Sequence, residues 1–376
     1  MCLPIELVER IIDTACCHPP TLAACSLVCK DWLPRSRHHL FALLDLSAHW
    51  NPEPNAVTEF MKIITAPNST LVPYVTAVVL GKRSWGMTPV QRILATLARS
   101  GIRPGFLHIN CPTYEPTHLP IFSVSLVHLT LYLHNDMPIA TLVDHVCAFP
   151  LLESLYVGGS ARYTADVYPA TQSLPPKLRT LVISNPVFAH WVLSLDPVPT
   201  QISTIILRYI NLPEQWDEIN RYLASPAAAA GIHSLTFEEC DVTYPQIPYI
   251  PPDLQHLENL HTLIIEKSGT LLADCLLGVL AAVRSSPATA TLETIELYAV
   301  NGSGPGEFPH MRLREADGIL ADAAKLPGLQ RVVVVMRIRT LTHPDFPVDH
   351  KIPPEIVSRL LEAMPLCDGR RLLFLR

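Results

Sequence analysis

The chain has 376 residues, 49% of them apolar and 16% charged, with a formal net charge of -6. A charged share well under the usual ~25% requires extensive burial and excludes long disordered tracts, and the mildly acidic balance excludes the basic stripe of a nucleic-acid binder. The 36 prolines are spread along the chain at nearly twice the ordinary share of about 5%, so many short elements with hard stops are expected rather than long helices.

The opening reads as helix. Leu3-Pro4 lies at the start, and Leu7, Val8, Ile11 and Ile12 recur at helical spacing, with Glu6 and Glu9 in the first turns where the helix dipole favours negative charge. His18-Pro19-Pro20 is expected to end this helix and Thr21 to cap the next. A dense apolar run, Leu22 to Trp32, follows, and then Arg35 to Phe41. The acidic residues Glu6 and Glu9 do not suit a signal peptide, and the apolar stretch from Leu271 to Val283 is shorter than the ~20 residues needed to span a bilayer. The chain is therefore expected in the cytoplasm or nucleus, not secreted and not in a membrane. Its ten cysteines have no regular spacing and are expected to be buried thiols.

A helical unit of about 40 residues is too small to hold itself together without a partner. Its motifs are specific: Leu3-Pro4-x-Glu6-Leu7-x-x-x-Ile11, then Cys25-Ser26-Leu27-Val28-Cys29-Lys30-x-Trp32, then Arg37-x-x-Leu40-Phe41. In order and spacing they resemble the F-box, in particular the F-box proteins of mushroom-forming fungi. The resemblance implies a short three-helix F-box over residues 1–44 that binds the Skp-type adaptor of an SCF ubiquitin ligase, and through it a cullin. The adaptor-binding positions it implies are Leu3, Pro4, Leu7, Ile11, Leu27, Val28 and Trp32.

Downstream, an apolar-x-x-apolar-x-apolar pattern recurs. Clear copies start at Leu126, Leu152, Leu178, Ile202, Ile232, Leu260, Leu292 and Leu329, with separations of 26, 26, 24, 30, 28, 32 and 37 residues. Weaker copies lie at Val75 and around Leu107. Phe41-x-x-Leu44-x-Leu46 is a possible first copy and Leu373-x-Leu375 a possible last. Between them, Pro89, Pro138, Pro213 and Pro354 stand near the starts of helical spacings over Val90–Leu97, Ile139–Cys147, Trp216–Leu223 and Ile356–Met364. The period is similar to that of leucine-rich repeats, about 20–29 residues. The Asn/Cys position after the strand is kept at Cys240 and displaced by one at Asn185, Asn211 and Asn301. The expected fold class is thus α/β, a leucine-rich-repeat-like solenoid over residues 45–376 with parallel strands on a concave face and helices on a convex one. A generic α/β domain is the alternative.

Residues alternating with the buried apolar positions face the other side of such a sheet. Solenoids commonly bind partners there, and Tyr132, Tyr156, Arg208, Glu238, Glu266 and Tyr298 are the candidates for holding a protein substrate. No cofactor and no metal is expected. Cys25-x-x-x-Cys29 lacks the second ligand pair of a zinc site, and Gly302-Ser303-Gly304-Pro305-Gly306 lacks the Lys-Ser/Thr of a phosphate loop. The chain is expected to be a non-catalytic specificity subunit that brings a target to the ligase. A repeat scaffold outside ubiquitination is the runner-up, and a cysteine-dependent hydrolase the third reading.

Overall fold

The computed structural model describes residues 4–16, 18–46, 54–81, 87–110, 116–132, 137–159, 163–164, 173–184, 192, 201–208, 210, 213–238, 254–284, 286–300, 310–338, 348–350, 352 and 354–375. Cys17, Leu3, Cys240, Asn185, Asn211, Asn301 and the Gly302–Gly306 run lie outside them. The chain divides into two compact units. The first holds Met1–Glu153, Gly158–Thr164 and Pro175–Lys177; the second holds Ser154–Val157, Ala165–Leu174 and Leu178–Arg376. The expected boundary at 44–45 falls inside the first unit.

The first unit opens with three helices, α1 (Ile5–Thr14), α2 (Pro19–Cys25) and α3 (Leu33–Phe41). The His18-Pro19-Pro20 run starts a helix rather than ending one. Proline lacks the N–H that a first turn leaves unused, so Pro19 and Pro20 suit its first two positions. His18, not Thr21, is the cap: its Nδ1 accepts from Thr21 N at 3.3 Å and lies 2.6 Å from Thr21 Oγ1. Val8, Ile12, Leu22 and Cys25 form a small buried core, with Ala15, Trp32 and Leu40 packed against it. Asp13 ties α1 to α3: its carboxylate takes a two-pronged bond from Arg35 (2.6 and 2.8 Å) and one with His39 Nε2 at 2.7 Å.

Helix α3 runs without a linker into strand β1 (Leu43–Leu46). Arg37 donates to Thr70 Oγ1 at 2.7 Å, and the Ala42 carbonyl accepts from Thr76 N and Ala77 N. Strands β2 (Ala77–Leu80), β3 (Phe106–Asn110) and β4 (His128–Tyr132) then pair in chain order, all parallel. The repeat pattern sets their register: Leu44, Val78, Leu107 and Leu129 are partners, as are Leu46, Leu80, Ile109 and Leu131. Helices Pro54–Thr65 and Met87–Arg99 make the crossovers that parallel strands require.

The second unit repeats the scheme. Strands Ser154–Gly158, Thr180–Ile183, Thr204–Arg208, Ser234–Glu238, Thr262–Ser268, Thr294–Val300 and Arg331–Ile338 are each parallel to the next. The middle position of every repeat lies on one row: Leu155, Leu181, Ile205, Leu235, Leu263, Ile295 and Val332, ending on Leu373. All of these but Leu373 are at most 1% exposed. At roughly 1.5–3 kcal/mol for each fully buried aliphatic, one such row already rivals the net stability of a domain, and no single repeat could bury it alone. Helix Pro213–Leu223 covers this leucine face, with the Trp216 ring stacked 6.2 Å from Phe237. The longer spacings of the late repeats are taken up by helices Gly269–Arg284 and His310–Leu320. Strand Val348–His350 pairs antiparallel with the end of Arg331–Ile338, an addition that the repeat period did not signal.

Candidate protein-docking surfaces

At ~100° per residue, the apolar positions of α1 cover more than one helix face. Val8 and Ile12 form the central ridge and are buried. Leu7 and Ile11 flank it on one side and Ile5 on the other, each 46% exposed. The α2–α3 connection carries Leu27 at 85% and Val28 at 60% exposure. Pro4 is exposed as well. Trp32 is half-buried against the module's own core, so it both packs the module and borders its surface. Five of the seven positions expected to meet an adaptor therefore lie on the outside of a module whose interior is filled by other residues. Ile5 joins them; spacing alone hid it because it falls beyond the Leu7/Ile11 stripe.

The second candidate surface is the strand face opposite the leucines. In the second unit, Arg208, Glu238, Glu266 and Tyr298 stand in register on consecutive strands. Arg208 Nη2 meets Glu238 Oε2 at 2.7 Å, with both side chains nearly buried. The Arg208 guanidinium also lies 4.7 Å over the Tyr156 ring, a cation–π contact, and Ser184 Oγ donates to Tyr156 Oη at 3.3 Å. Tyr298 Oη donates to Glu296 Oε2 at 2.6 Å. Tyr156, Glu238 and Glu266 are buried and Tyr298 half-buried. Tyr132, in the first unit, is half-buried with its ring 5.5 Å from that of His108. Tyr156, Arg208 and Glu238 thus form an interlocked row. What stays open is the row beneath, at the strand starts: Ser154, Thr180, Thr204, Ser234, Thr262 and Thr294, in register across six strands and all half-exposed.

No protein-family model matches the chain, and no curated protein matches it.

Among the described residues, no group of three or more His, Cys, Asp or Glu gathers to hold a metal ion, and no helix is long and apolar enough to cross a membrane. Burial pushes the Cys147 thiol up to about 11 and Cys275 to about 12, and raises Cys367 further still. The thiolate is the nucleophilic form, so desolvation holds these three sulfurs in their unreactive state.

Proposed function

We propose that this chain is an F-box protein, the substrate-recognition subunit of an SCF-type ubiquitin ligase. Its helical module docks a Skp-type adaptor, and its leucine-rich-repeat-like strands hold a target protein. One observation carries the reading: Leu27 and Val28 are 85% and 60% exposed beside a module core completed by Val8, Ile12, Leu22 and Cys25. Large aliphatics left outside a filled core are the anchors of a protein interface, and they occupy the positions at which the F-box resemblance places adaptor contacts. The Arg37–Thr70 bond and the bonds from Thr76 N and Ala77 N to the Ala42 carbonyl hold the module to the strands that follow, so adaptor and the first repeats move as one body. The chemistry of ubiquitin transfer belongs to the ligase's other subunits; this chain supplies proximity.

The test is co-purification of the full chain with a Skp-type adaptor, alongside the variants Leu27→Asp and Val28→Asp. Retention of the wild type and loss of both variants, with unchanged circular dichroism, is the expected outcome. Failure of the wild type to bind overturns the reading. Adaptor binding that recruits no cullin leaves a scaffold role instead.

A further inference from the structure

Two histidines that the repeat reading passed over occupy the same position in consecutive repeats of the second unit. His233 precedes strand Ser234–Glu238, and His261 precedes strand Thr262–Ser268. The His233 carbonyl accepts from both His261 N (2.9 Å) and Thr262 N (3.0 Å), which sets the two residues side by side. Their rings are stacked with centroids 5.5 Å apart and planes 12° from parallel. His233 is exposed and His261 half-exposed.

The hydrogen bonding decides what these rings present. His233 Nδ1 lies 2.6 Å from the Gly231 carbonyl, and His261 Nδ1 lies 2.6 Å from the Asn259 carbonyl. A carbonyl oxygen only accepts, so each Nδ1 carries the proton and each neutral ring keeps its lone pair on Nε2. An imidazole whose far nitrogen is pinned to a backbone carbonyl is the arrangement that fixes tautomer and orientation in metal-binding histidines. The loops bearing the pair are also tied together, Asn259 Nδ2 donating to Ala230 O at 3.1 Å. Glu293 holds the equivalent position before the following strand Thr294–Val300, its N–H bonded to the His261 carbonyl.

We propose that His233 and His261 form a two-nitrogen surface site for a divalent transition-metal ion of the imidazole-preferring kind, copper first and nickel and zinc behind it in the usual order of affinity. Metal–nitrogen bonds of about 2.0–2.1 Å need both Nε2 lone pairs aimed at one point, so the near-parallel rings turn towards each other on binding. Two protein ligands leave the remaining positions to water, so the ion bridges two successive repeats and stays open to a further donor from a partner.

The test titrates the full chain, free of any polyhistidine tag, with Cu2+ by calorimetry and follows the bound ion by electron paramagnetic resonance. A single site with nitrogen coupling from two imidazoles is expected, and both His233→Asn and His261→Asn abolish it with circular dichroism unchanged. Asn259→Ala, which keeps the backbone carbonyl that holds His261 and removes only the side-chain tie to Ala230, weakens it. Cu2+ also raises the melting temperature of the wild type and of neither histidine variant. Wild-type stoichiometry and spectrum in His233→Asn or in His261→Asn, or a one-nitrogen spectrum in the wild type, overturns the proposal.

Discussion

Removing the Arg208 cation tests whether the interlocked row on the strand face is a stabilising element. Arg208 and Glu238 meet at 2.7 Å with side chains 13% and 10% exposed. Exposed ion pairs contribute about 0–1 kcal/mol, whereas breaking a buried pair costs about 3–5 kcal/mol because the surviving charge stays out of water. The small remaining exposure places this pair at the lower end, near 3 kcal/mol for Arg208→Met. Glu238 then stands in register beside Glu266 without the Arg208 cation, and like charges side by side add to the cost. Arg208→Met/Glu238→Leu removes both charges and recovers most of the loss, since replacing a whole buried pair by apolar groups is nearly neutral. The assay is hydrogen exchange of the amides in 204–208 and 234–238. For amides that exchange through opening of this region, 3 kcal/mol corresponds to exchange about 150-fold faster in the single variant, with near wild-type rates in the double. Equal effects in the single and double variants would refute the reasoning, because the cost would then come from lost packing over Tyr156 and not from breaking the ion pair.

Three further outcomes are expected. Arg35 and then His39 hold the Asp13 carboxyl well below the usual carboxylate range; a group whose folded value is depressed contributes stability above its unfolded value of ~3.9 and loses it as pH falls through the folded one. The helical module should therefore loosen on acidification below about pH 4, and Asp13→Asn should flatten that dependence in an acid titration followed by tryptophan fluorescence of Trp32. At Gly328 an added Cβ would meet the Ala290 carbonyl oxygen at 2.4 Å, a backbone atom that cannot swing away, so Gly328→Ala should lower stability by about 1–3 kcal/mol in urea unfolding. Tyr222 is buried with no hydrogen-bond partner for its hydroxyl among the described residues, and burial raises its pKa; Tyr222→Phe should leave stability unchanged or raise it by roughly 1 kcal/mol, and a clear loss would reveal a partner for that oxygen.

The two surfaces differ in how far the sequence disclosed them. On the helical module, Leu7, Ile11, Leu27 and Val28 were picked out by motif and stand exposed, because short helices cannot cover an apolar face wider than one neighbour. On the strand face, the alternation rule placed Arg208, Glu238, Glu266 and Tyr298 on one side of the sheet, as found. It did not disclose that Arg208 pairs with Glu238 and covers the Tyr156 ring. That depends on which residues the register sets beside each other, and the register joins positions about 30 residues apart.

By itself the sequence determined the local plan. The apolar-x-x-apolar-x-apolar copies specify the strands from Leu44 to Leu375 and their leucine face, since a two-residue alternation and one buried face leave a single register. Prolines 89, 138, 213 and 354 mark helix starts, because proline fits a first turn and no other. Only the three-dimensional structure decided three things. The Pro19-Pro20 run begins α2, because His18 supplies the cap. Asp13 reaches across to Arg35 and His39 through the packing of α1 on α3. The outer strand face divides into a buried charged row and an open hydroxyl row, since burial is a property of what neighbouring strands bring together and is written in no one repeat.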